Sequence, residues 1–282
     1  MDFNSEKVLP ILKEAAQKFI LPRFQALKDH EISSKTNPTD LVTLADIEAE
    51  KFFEEALPSI LPSSLVVGEE SVSRGDKSLD TLSMQDQYIW VVDPVDGTYN
   101  FVHGREDFGI MLSLVYKGEN IGGWIYDILN DHLAYALRGE GAYDGCKRVK
   151  FANNNTACTS IPDMDVFLSP KFFPKSLRDH IKARQKQFRK AHPLGCAAHE
   201  YLNVLRGIRS ACIYCRLKPW DHLPGTLMIT EAGGYICKWD GKPYVPQDVY
   251  GGLIATRSKE QWDAIYECLF ADVDFAALNK KI

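Results

Sequence analysis

The sequence has no apolar run of the length that a membrane span requires, and its first residues lack the features of a signal peptide. A spanning helix needs about 20 consecutive apolar residues. A signal peptide needs a basic start followed by an apolar core, and the opening segment MDFNSEKVLP has neither. We therefore expect a cytoplasmic protein with no membrane partner.

The seven cysteines do not form the pattern of a disulfide framework or of a zinc site. Their number is odd and they are scattered along the chain, which favours free thiols in a reducing compartment. Cys212 and Cys215 form one CxxC with no second pair. Alternation along a strand would point the two thiols to opposite faces, so zinc is not expected there.

Size and charge narrow the class of protein. With 282 residues, the chain can bury a large core, either as one domain or as two packed halves. A hydrophobic content of 45% and a charged content of 25% are ordinary for a globular protein. The net charge of -5 argues against a general nucleic-acid binder. A local basic patch stays compatible with this charge.

Two aspartates follow the most apolar strand-like segment of the chain. In YIWVVDPVDGTYNFVH, five apolar or aromatic residues lead into Asp93 and Asp96. The pattern predicts a buried strand that ends at Pro94, because proline cannot donate to a ladder. Paired carboxylates repel each other unless a cation lies between them, and Mg2+ is the usual answer. An ordinary surface turn without ligand is the alternative, and these residues do not decide between the two.

The residues after Asp96 suit an anion. Gly97 can take a positive φ, and the N–H groups of Gly97, Thr98 and Tyr99 are then free at the start of a short helix. A phosphate bound there beside a metal ion would form a phosphoryl-transfer site.

Three more carboxylates lie at the ends of predicted elements. Asp46 is in the first turn of a helix, Glu69 follows a short apolar strand, and Asp221 is near a helix N-terminus. Each has an ordinary interpretation as helix-dipole partner, solvated turn or N-cap. If the strand before Glu69 neighbours the central strand, Glu69 lies beside Asp93.

The order of elements predicts two mixed halves. Residues 108–145 hold four short β-rich runs separated by turn signals, which is typical of an antiparallel meander. The polar segment 150–163 is predicted to be a crossover. Helices and strands alternate after it. We therefore divide the chain into residues 1–150 and 151–282.

Four segments, in order, carry a resemblance to a known family. They are Asp40–Asp46 (DLVTLAD), Gly68–Ser71 (GEES), Asp93–Phe101 (DPVDGTYNF) and Trp220–Gly234 (WDHLPGTLMITEAGG). They resemble the motifs of the inositol monophosphatase family, the Mg2+-dependent, lithium-sensitive phosphatases related to fructose-1,6-bisphosphatase. The resemblance implies an α+β fold, a layered αβαβα sandwich. The half 1–150 would carry most metal ligands, and the half 151–282 would carry Asp221 and the substrate contacts.

The resemblance also implies roles for single residues. Two or three Mg2+ ions are implied, with Glu69, Asp93 and the Val95 carbonyl at the first, Asp93, Asp96 and Asp221 at the second, and Glu69 through water at a third. Asp46, Thr98 and Glu69 are the implied catalytic residues, with Asp46 and Thr98 activating the attacking water. The N–H groups of Gly97 and Thr98 would bind the phosphate. Hydrolysis would need no covalent phosphoenzyme.

The substrate-binding positions depart from the family pattern. Inositol-specific members usually carry a glutamate seven residues before the metal-binding aspartate, and that position is Tyr214 here. Arg216, two residues on, could bind a second anionic group. The small-residue helix start reads Gly195–Ala198 (GCAA), in which Ala197 is an implied substrate contact. These changes leave the implied catalytic residues untouched but place inositol as substrate in question.

Several functions therefore compete. The leading hypothesis is a phosphomonoesterase acting on inositol 1-phosphate or a related sugar or polyol phosphate. The same chemistry on histidinol phosphate, fructose 1,6-bisphosphate or a nucleotide 3′-phosphate is the alternative within the enzyme class. A regulatory binding role on the same fold is the alternative outside it. The resemblance makes a homodimer the default assembly.

Overall fold

The computed structural model describes residues 5–151, 159–249, 251–273 and 275. The segment 152–158, which is half of the predicted crossover, lies outside the described residues. Two large sheets and one small hairpin are present. Among the described residues, no helix combines the length and the apolar character that crossing a membrane requires.

The first large sheet has seven strands in the order β3-β4-β5-β6-β7-β8-β9. Its strands are β3 (Leu65–Gly68), β4 (Tyr88–Asp96), β5 (Gly109–Tyr116), β6 (Glu119–Asp127), β7 (His132–Leu137), β8 (Gly141–Asp144) and β9 (Lys147–Val149). Strands β3 and β4 are parallel, and β4 to β9 pair antiparallel in sequence order. The meander predicted for residues 108–145 is confirmed. The hairpin pairs β1 (Ile32–Ser34) with β2 (Leu41–Thr43).

The second large sheet has five strands in the order β11-β10-β12-β14-β13. They are β10 (Asp165–Leu168), β11 (Lys190–Ala191), β12 (Ala211–Tyr214), β13 (Tyr235–Lys238) and β14 (Leu253–Thr256). This sheet is mixed, because β10 is parallel to β11 and β12 whereas β14 is antiparallel to β12 and β13.

Eight α-helices accompany the sheets in the described residues. They are α1 (Val8–Ala15), α2 (Leu44–Ile60), α3 (Glu69–Ser73), α4 (Thr98–Val102), α5 (Lys175–Arg184), α6 (Ala197–Leu205), α7 (Pro219–Glu231) and α8 (Lys259–Phe270). The N-terminal helical segment extends beyond α1. A π-helical turn and a 3-10 turn follow α1, and the chain leaves the helix after Arg23, next to Pro22.

The central strand runs further than predicted. Its expected end at Pro94 is wrong, because β4 continues to Asp96. Asp93 pairs with Met111 and Asp96 with Gly109, so β4 carries one extra residue between these pairs. Pro94 is therefore tolerated in a bulge, where the ladder is already interrupted. The bulge lies between the two aspartates.

The packing of helices on the two sheets produces five layers. Helices α1 and α2 share one core with the seven-stranded sheet, and α6 and α7 share a second core with the other face of that sheet and with β12 and β14. Helices α5 and α8 cover the outer face of the five-stranded sheet. The fold is thus the αβαβα sandwich of the α+β class that the resemblance implied. Helix α7 contacts strands of both large sheets. The division of the chain into residues 1–150 and 151–282 stays a prediction.

Candidate active site

Three carboxylates from separate elements converge at one edge of the seven-stranded sheet. One oxygen each of Glu69, Asp93 and Asp221 lies within 4.8 Å of the others. Because β3 and β4 are parallel with Gly68 opposite Val92, Glu69 and Asp93 come level at the strand ends. The predicted proximity of these two residues is confirmed. Asp221 reaches them from the first turn of α7.

The convergence makes these carboxyl groups hard to ionise together. Burial raises the pKa of Asp93 well above its usual range, and repulsion from Glu69, Asp96 and Asp221 raises it further. Burial likewise raises the pKa of Asp221. A group of buried carboxylates of this kind is stabilised when a cation binds among them.

Two lysines pair with the third carboxylate. The Nζ atoms of Lys35 and Lys218 lie 3.1 Å and 2.9 Å from Glu69 Oε1, and Lys35 also lies 2.6 Å from Glu70 Oε1. Burial would raise the pKa of Glu69, but the two ammonium groups outweigh it and lower that pKa to about 2. Glu69 is thus ionised at neutral pH. Sequence reasoning assigned no role to either lysine, although Lys218 lies only three residues before Asp221.

The group of Glu69, Asp93 and Asp221 fits a hard divalent cation. All its donors are carboxylate oxygens, which Mg2+ prefers, whereas a zinc site would use nitrogen or sulfur. Asp96 is anchored elsewhere, since its Oδ2 accepts the Ala198 N–H at 2.6 Å and the Cys196 thiol at 2.9 Å. A metal-binding role for Asp96 stays a prediction.

Asp46 and Thr98 are in contact although they lie 52 residues apart in the chain. The Thr98 hydroxyl lies 3.1 Å from Asp46 Oδ1 and 3.0 Å from the Val95 carbonyl, so its single proton has two acceptors. Asp46 also caps α2, because its Oδ2 accepts the N–H of Thr43 at 2.9 Å and the Thr43 hydroxyl at 2.5 Å. Burial raises the pKa of Asp46 to about 6, against the hydrogen bonds from Thr43.

The turn after Asp96 has the conformation that its glycine predicts. Gly97 has φ 86° and precedes α4, so the positive φ and the short helix are confirmed. A Cβ at this position would lie 2.8 Å from the Asp107 carbonyl and 3.1 Å from Cys196 Cβ. Both the backbone conformation and the close approach therefore require glycine. Phosphate binding by the N–H groups of Gly97 and Thr98 stays a prediction.

A cavity of about 220 Å³ opens beside the carboxylates. Its lining includes Asp96 and Asp221 and the three residues predicted as substrate contacts, Ala197, Tyr214 and Arg216. The walls come from the start of α6, the end of β10 and the chain around the end of β12. The cavity is therefore lined by residues from both halves of the chain, 1–150 and 151–282.

His222 forms a hydrogen bond with the loop that follows β12. Its Nε2 lies 2.7 Å from the Arg216 carbonyl, and its Nδ1 lies 3.2 Å from the Tyr201 hydroxyl. Burial lowers the pKa of His222 to about 4, so the ring is neutral and uses one nitrogen as donor and the other as acceptor. The Arg216 guanidinium lies 4.7 Å over the ring of Phe172 at the same cavity.

Glu200 is a lining residue that sequence reasoning missed. It is 3% exposed, and its Oε1 accepts the N–H groups of Leu194 at 2.8 Å and Gly195 at 3.4 Å. Burial raises the pKa of Glu200 to about 7, and the Tyr214 hydroxyl and the backbone N–H groups oppose that rise. The available signal was its spacing in α6, three residues after Ala197 and four before Val204, which are both buried.

Comparisons with known proteins agree with this arrangement. The sequence model of the inositol monophosphatase family matches residues 4–276. The inositol-1-monophosphatase of Bacillus subtilis is 34% identical over 216 residues, which cover 76% of this chain and 78% of that protein. The fructose-1,6-bisphosphatase/inositol-1-monophosphatase of Aquifex aeolicus is 29% identical over 259 residues, or 88% of this chain and 92% of that protein.

A solved structure shares the fold over nearly the full length. The crystal structure of inositol monophosphatase II from Staphylococcus aureus superposes with a TM-score of 0.78 at 26% identity. The match covers 98% of this chain and 97% of that one. The alignment therefore spans both large sheets and the helices between them.

Proposed function

Because the chain belongs to the inositol monophosphatase family of phosphatase hydrolases, we propose that it hydrolyses the phosphomonoester of a small polyol or sugar, with inositol 1-phosphate as the leading substrate. The observation that carries the proposal is the convergence of Glu69, Asp93 and Asp221 beside a cavity of about 220 Å³. Ligand pockets of drug-sized molecules are larger, at ~300–1,000 Å³. A small metabolite is the matching substrate.

The metal-binding part of the proposal rests on the oxygen donors. Glu69, Asp93 and Asp221 are proposed to hold two or three Mg2+ ions, together with Asp96 and the Val95 carbonyl. When bound, such ions lower the pKa of a water, neutralise the phosphate and stabilise the leaving alkoxide. The two lysines beside Glu69 keep that residue ionised, so its oxygens are acceptors at every physiological pH.

Asp46 and Thr98 are proposed to orient the attacking water. When the Thr98 hydroxyl donates to Asp46 Oδ1, 3.1 Å away, its oxygen is free to accept a hydrogen bond from that water. Asp46 Oδ2 is already engaged by Thr43, so Oδ1 is the atom that receives the proton. The bonds from Thr43 hold the carboxylate in this orientation.

The phosphate and the leaving alcohol are proposed to occupy neighbouring positions. The N–H groups of Gly97 and Thr98 lie at the start of α4, where a backbone donor suits an anion. The alcohol would then extend into the cavity toward Ala197, Tyr214 and Arg216.

A bisphosphate is the second candidate substrate, and Arg216 favours it. This side chain is exposed at the cavity, and guanidinium groups bind phosphate with two parallel hydrogen bonds. The name of the Aquifex aeolicus relative includes fructose-1,6-bisphosphatase. Histidinol phosphate and nucleotide 3′-phosphates remain rivals with the same chemistry, and a regulatory binding role is the alternative outside catalysis.

We further propose a cytoplasmic homodimer. All cysteines among the described residues are free thiols, which suits a reducing compartment. Gel filtration with light scattering measures the assembly, and a mass of one chain would refute the dimer.

The experiment that tests the function is phosphate release from a substrate panel. It contains inositol 1-phosphate, glycerol 2-phosphate, histidinol phosphate, fructose 1,6-bisphosphate and adenosine 3′,5′-bisphosphate, each with Mg2+ and with EDTA. Release that requires Mg2+ and disappears in Asp93→Asn supports the proposal, and the preferred substrate assigns the role of Arg216. No release from any substrate by folded protein in Mg2+ refutes it and favours the regulatory role.

A further inference from the structure

The cavity contains one carboxylate that does not belong to the metal-binding group, and it faces the space where the leaving alcohol would lie. We propose that Glu200 selects the substrate by accepting a hydrogen bond from a hydroxyl group of that alcohol, with the Tyr214 hydroxyl as a second polar contact in the same cavity. This inference rests on the proposed function, because it concerns the half of a phosphomonoester that is not phosphate.

Three other polar groups around the cavity are committed to protein partners. Asp96 accepts from the backbone and the thiol at the start of α6. Lys218 donates to Glu69 at 2.9 Å. Both ring nitrogens of His222 are used. None of these three groups can therefore form a hydrogen bond with the leaving alcohol unless it gives up a contact with the protein.

Glu200 differs from them because its carboxylate retains acceptor capacity. A carboxylate offers about four lone-pair sites, and the N–H groups of Leu194 and Gly195 use Oε1. These bonds fix the orientation of the group at the start of α6. Tyr214 lines the same cavity, and its buried hydroxyl has no hydrogen-bond partner among the described residues. A buried carboxylate with so few partners is stabilised by a further donor.

The donor that fits best is a neutral hydroxyl. Arg216 and Lys218 line the same cavity and would repel a substrate ammonium group. Asp96 and Asp221 also line it, but in the proposed function Mg2+ neutralises these two carboxylates. Phe167, Leu168 and Ile213 supply apolar walls that suit the C–H edges of a ring. The cavity thus favours a small cyclic polyol over an amino alcohol.

The test compares two phosphates of the same ring size. Inositol 1-phosphate carries ring hydroxyls, and cyclohexyl phosphate carries none. We expect Glu200→Gln to lower kcat/KM for inositol 1-phosphate by about 10- to 100-fold, because a hydrogen bond to a charged group is lost. Cyclohexyl phosphate should be hydrolysed at an unchanged rate. Tyr214→Phe should shift the same ratio in the same direction by a smaller factor.

Glu231→Gln is the matched control. Glu231 also accepts two backbone N–H groups, those of Gly139 and Gly141, but it does not line the cavity. It should leave the ratio of the two substrates unchanged. Glutamine at position 200 retains an oxygen for Leu194, and circular dichroism with thermal unfolding checks that the variant folds.

The outcomes separate this inference from the proposed function. An equal loss on both substrates assigns Glu200 a structural role and overturns the inference. A preference for histidinol phosphate that Glu200→Gln removes also overturns it, because the donor is then an amine. If the unmodified protein hydrolyses neither ring phosphate with Mg2+, the proposed function itself fails. Inositol titrated into the protein by calorimetry should bind more weakly to Glu200→Gln than to Glu231→Gln.

Discussion

The two sides of the cavity are built differently. The acidic end, formed by Glu69, Asp93 and Asp221, places each carboxylate within three residues of a strand end or a helix start. The recognition wall is formed by Glu200, Tyr214 and Arg216. It takes single residues from the first turn of α6, the end of β12 and the loop after β12. Local chain geometry positions the first group, and tertiary packing positions the second.

The electrostatics differ in the same way. At the acidic end, carboxylates repel one another, and two lysines pair with one of them. At the recognition wall, Glu200 is held by backbone N–H groups, and Arg216 lies over an aromatic ring. We infer that the acidic end serves the reaction of any phosphomonoester, whereas the recognition wall distinguishes one ester from another. The predictions below test that separation.

The largest effect is expected at Asp93. Asp93→Asn should lower kcat/KM by about 10³-fold or more on every substrate, because a central carboxylate is lost. In EDTA the variant should be more stable by ~1–3 kcal/mol, since one charge is removed from a buried, repelling group. Phosphate release measures the loss of kcat/KM, and thermal unfolding in EDTA measures the gain in stability.

Mg2+ should raise the melting temperature of the unmodified protein and leave that of Asp93→Asn nearly constant, because only the former binds the ion tightly. A full Mg2+ response in Asp93→Asn would remove this residue from the metal-binding group.

The next effect is expected at Thr98. Thr98→Val removes the hydroxyl that contacts Asp46 and should lower kcat by about 10²- to 10³-fold. Thr98→Ser restores the hydroxyl and should recover most of the rate. The ratio of inositol 1-phosphate to cyclohexyl phosphate should stay constant in both variants. A changed ratio would contradict the separation of reaction from selection.

Much of this site was predictable from the sequence, because several of its residues lie in one short segment with local turn signals. Asp93, Gly97 and Thr98 belong to one short segment whose strand, bulge and helix start are local events. The parallel pairing of β3 with β4 was a long-range assumption, and it is confirmed. The approach of Asp221 to Asp93 was expected from the resemblance alone. The five layers followed from the resemblance, since periodicity does not reveal which sheet face a helix covers.

The missed residues depend on contacts that no local pattern encodes. Glu200 resembles any helix glutamate until Leu194, Gly195 and Tyr214 surround it. The same holds for Lys35, which reads as a loop residue until it meets Glu69 across the fold. At Pro94 a local rule gave a wrong prediction. Proline was expected to end the strand, but a bulge accommodates it and β4 continues.

The pH dependence of stability tests the recognition wall by itself. Burial raises the pKa of Glu200 from 4.5 to about 7. The stability that this carboxyl contributes is therefore fully present below its unfolded pKa and is lost as pH rises through its folded pKa. The shift corresponds to ~3 kcal/mol at full ionisation.

Glu200→Gln has no such ionisation, so its stability relative to the unmodified protein should rise by ~3 kcal/mol between acid pH and pH 8 or above. Denaturant unfolding of both proteins across this range measures the difference. The other carboxyl groups titrate in both proteins, so their contributions cancel in the difference between the two free energies of unfolding. A flat difference would show that Glu200 is already protonated or fully satisfied throughout.

The smallest effect is expected at Lys218, and it probes how the acidic end controls its charge. Lys218 and Lys35 both pair with Glu69, but Lys35 also pairs with buried Glu70. Lys218→Met removes one positive charge from the edge of the group, so Mg2+ should bind about 3- to 10-fold more tightly. Lys35→Met should instead destabilise the fold by ~3–5 kcal/mol, because it leaves a buried carboxylate unpaired. Calorimetric Mg2+ titration and denaturant unfolding separate the two. Weaker Mg2+ binding in Lys218→Met would mean that this lysine organises Glu69 for the metal rather than opposing it.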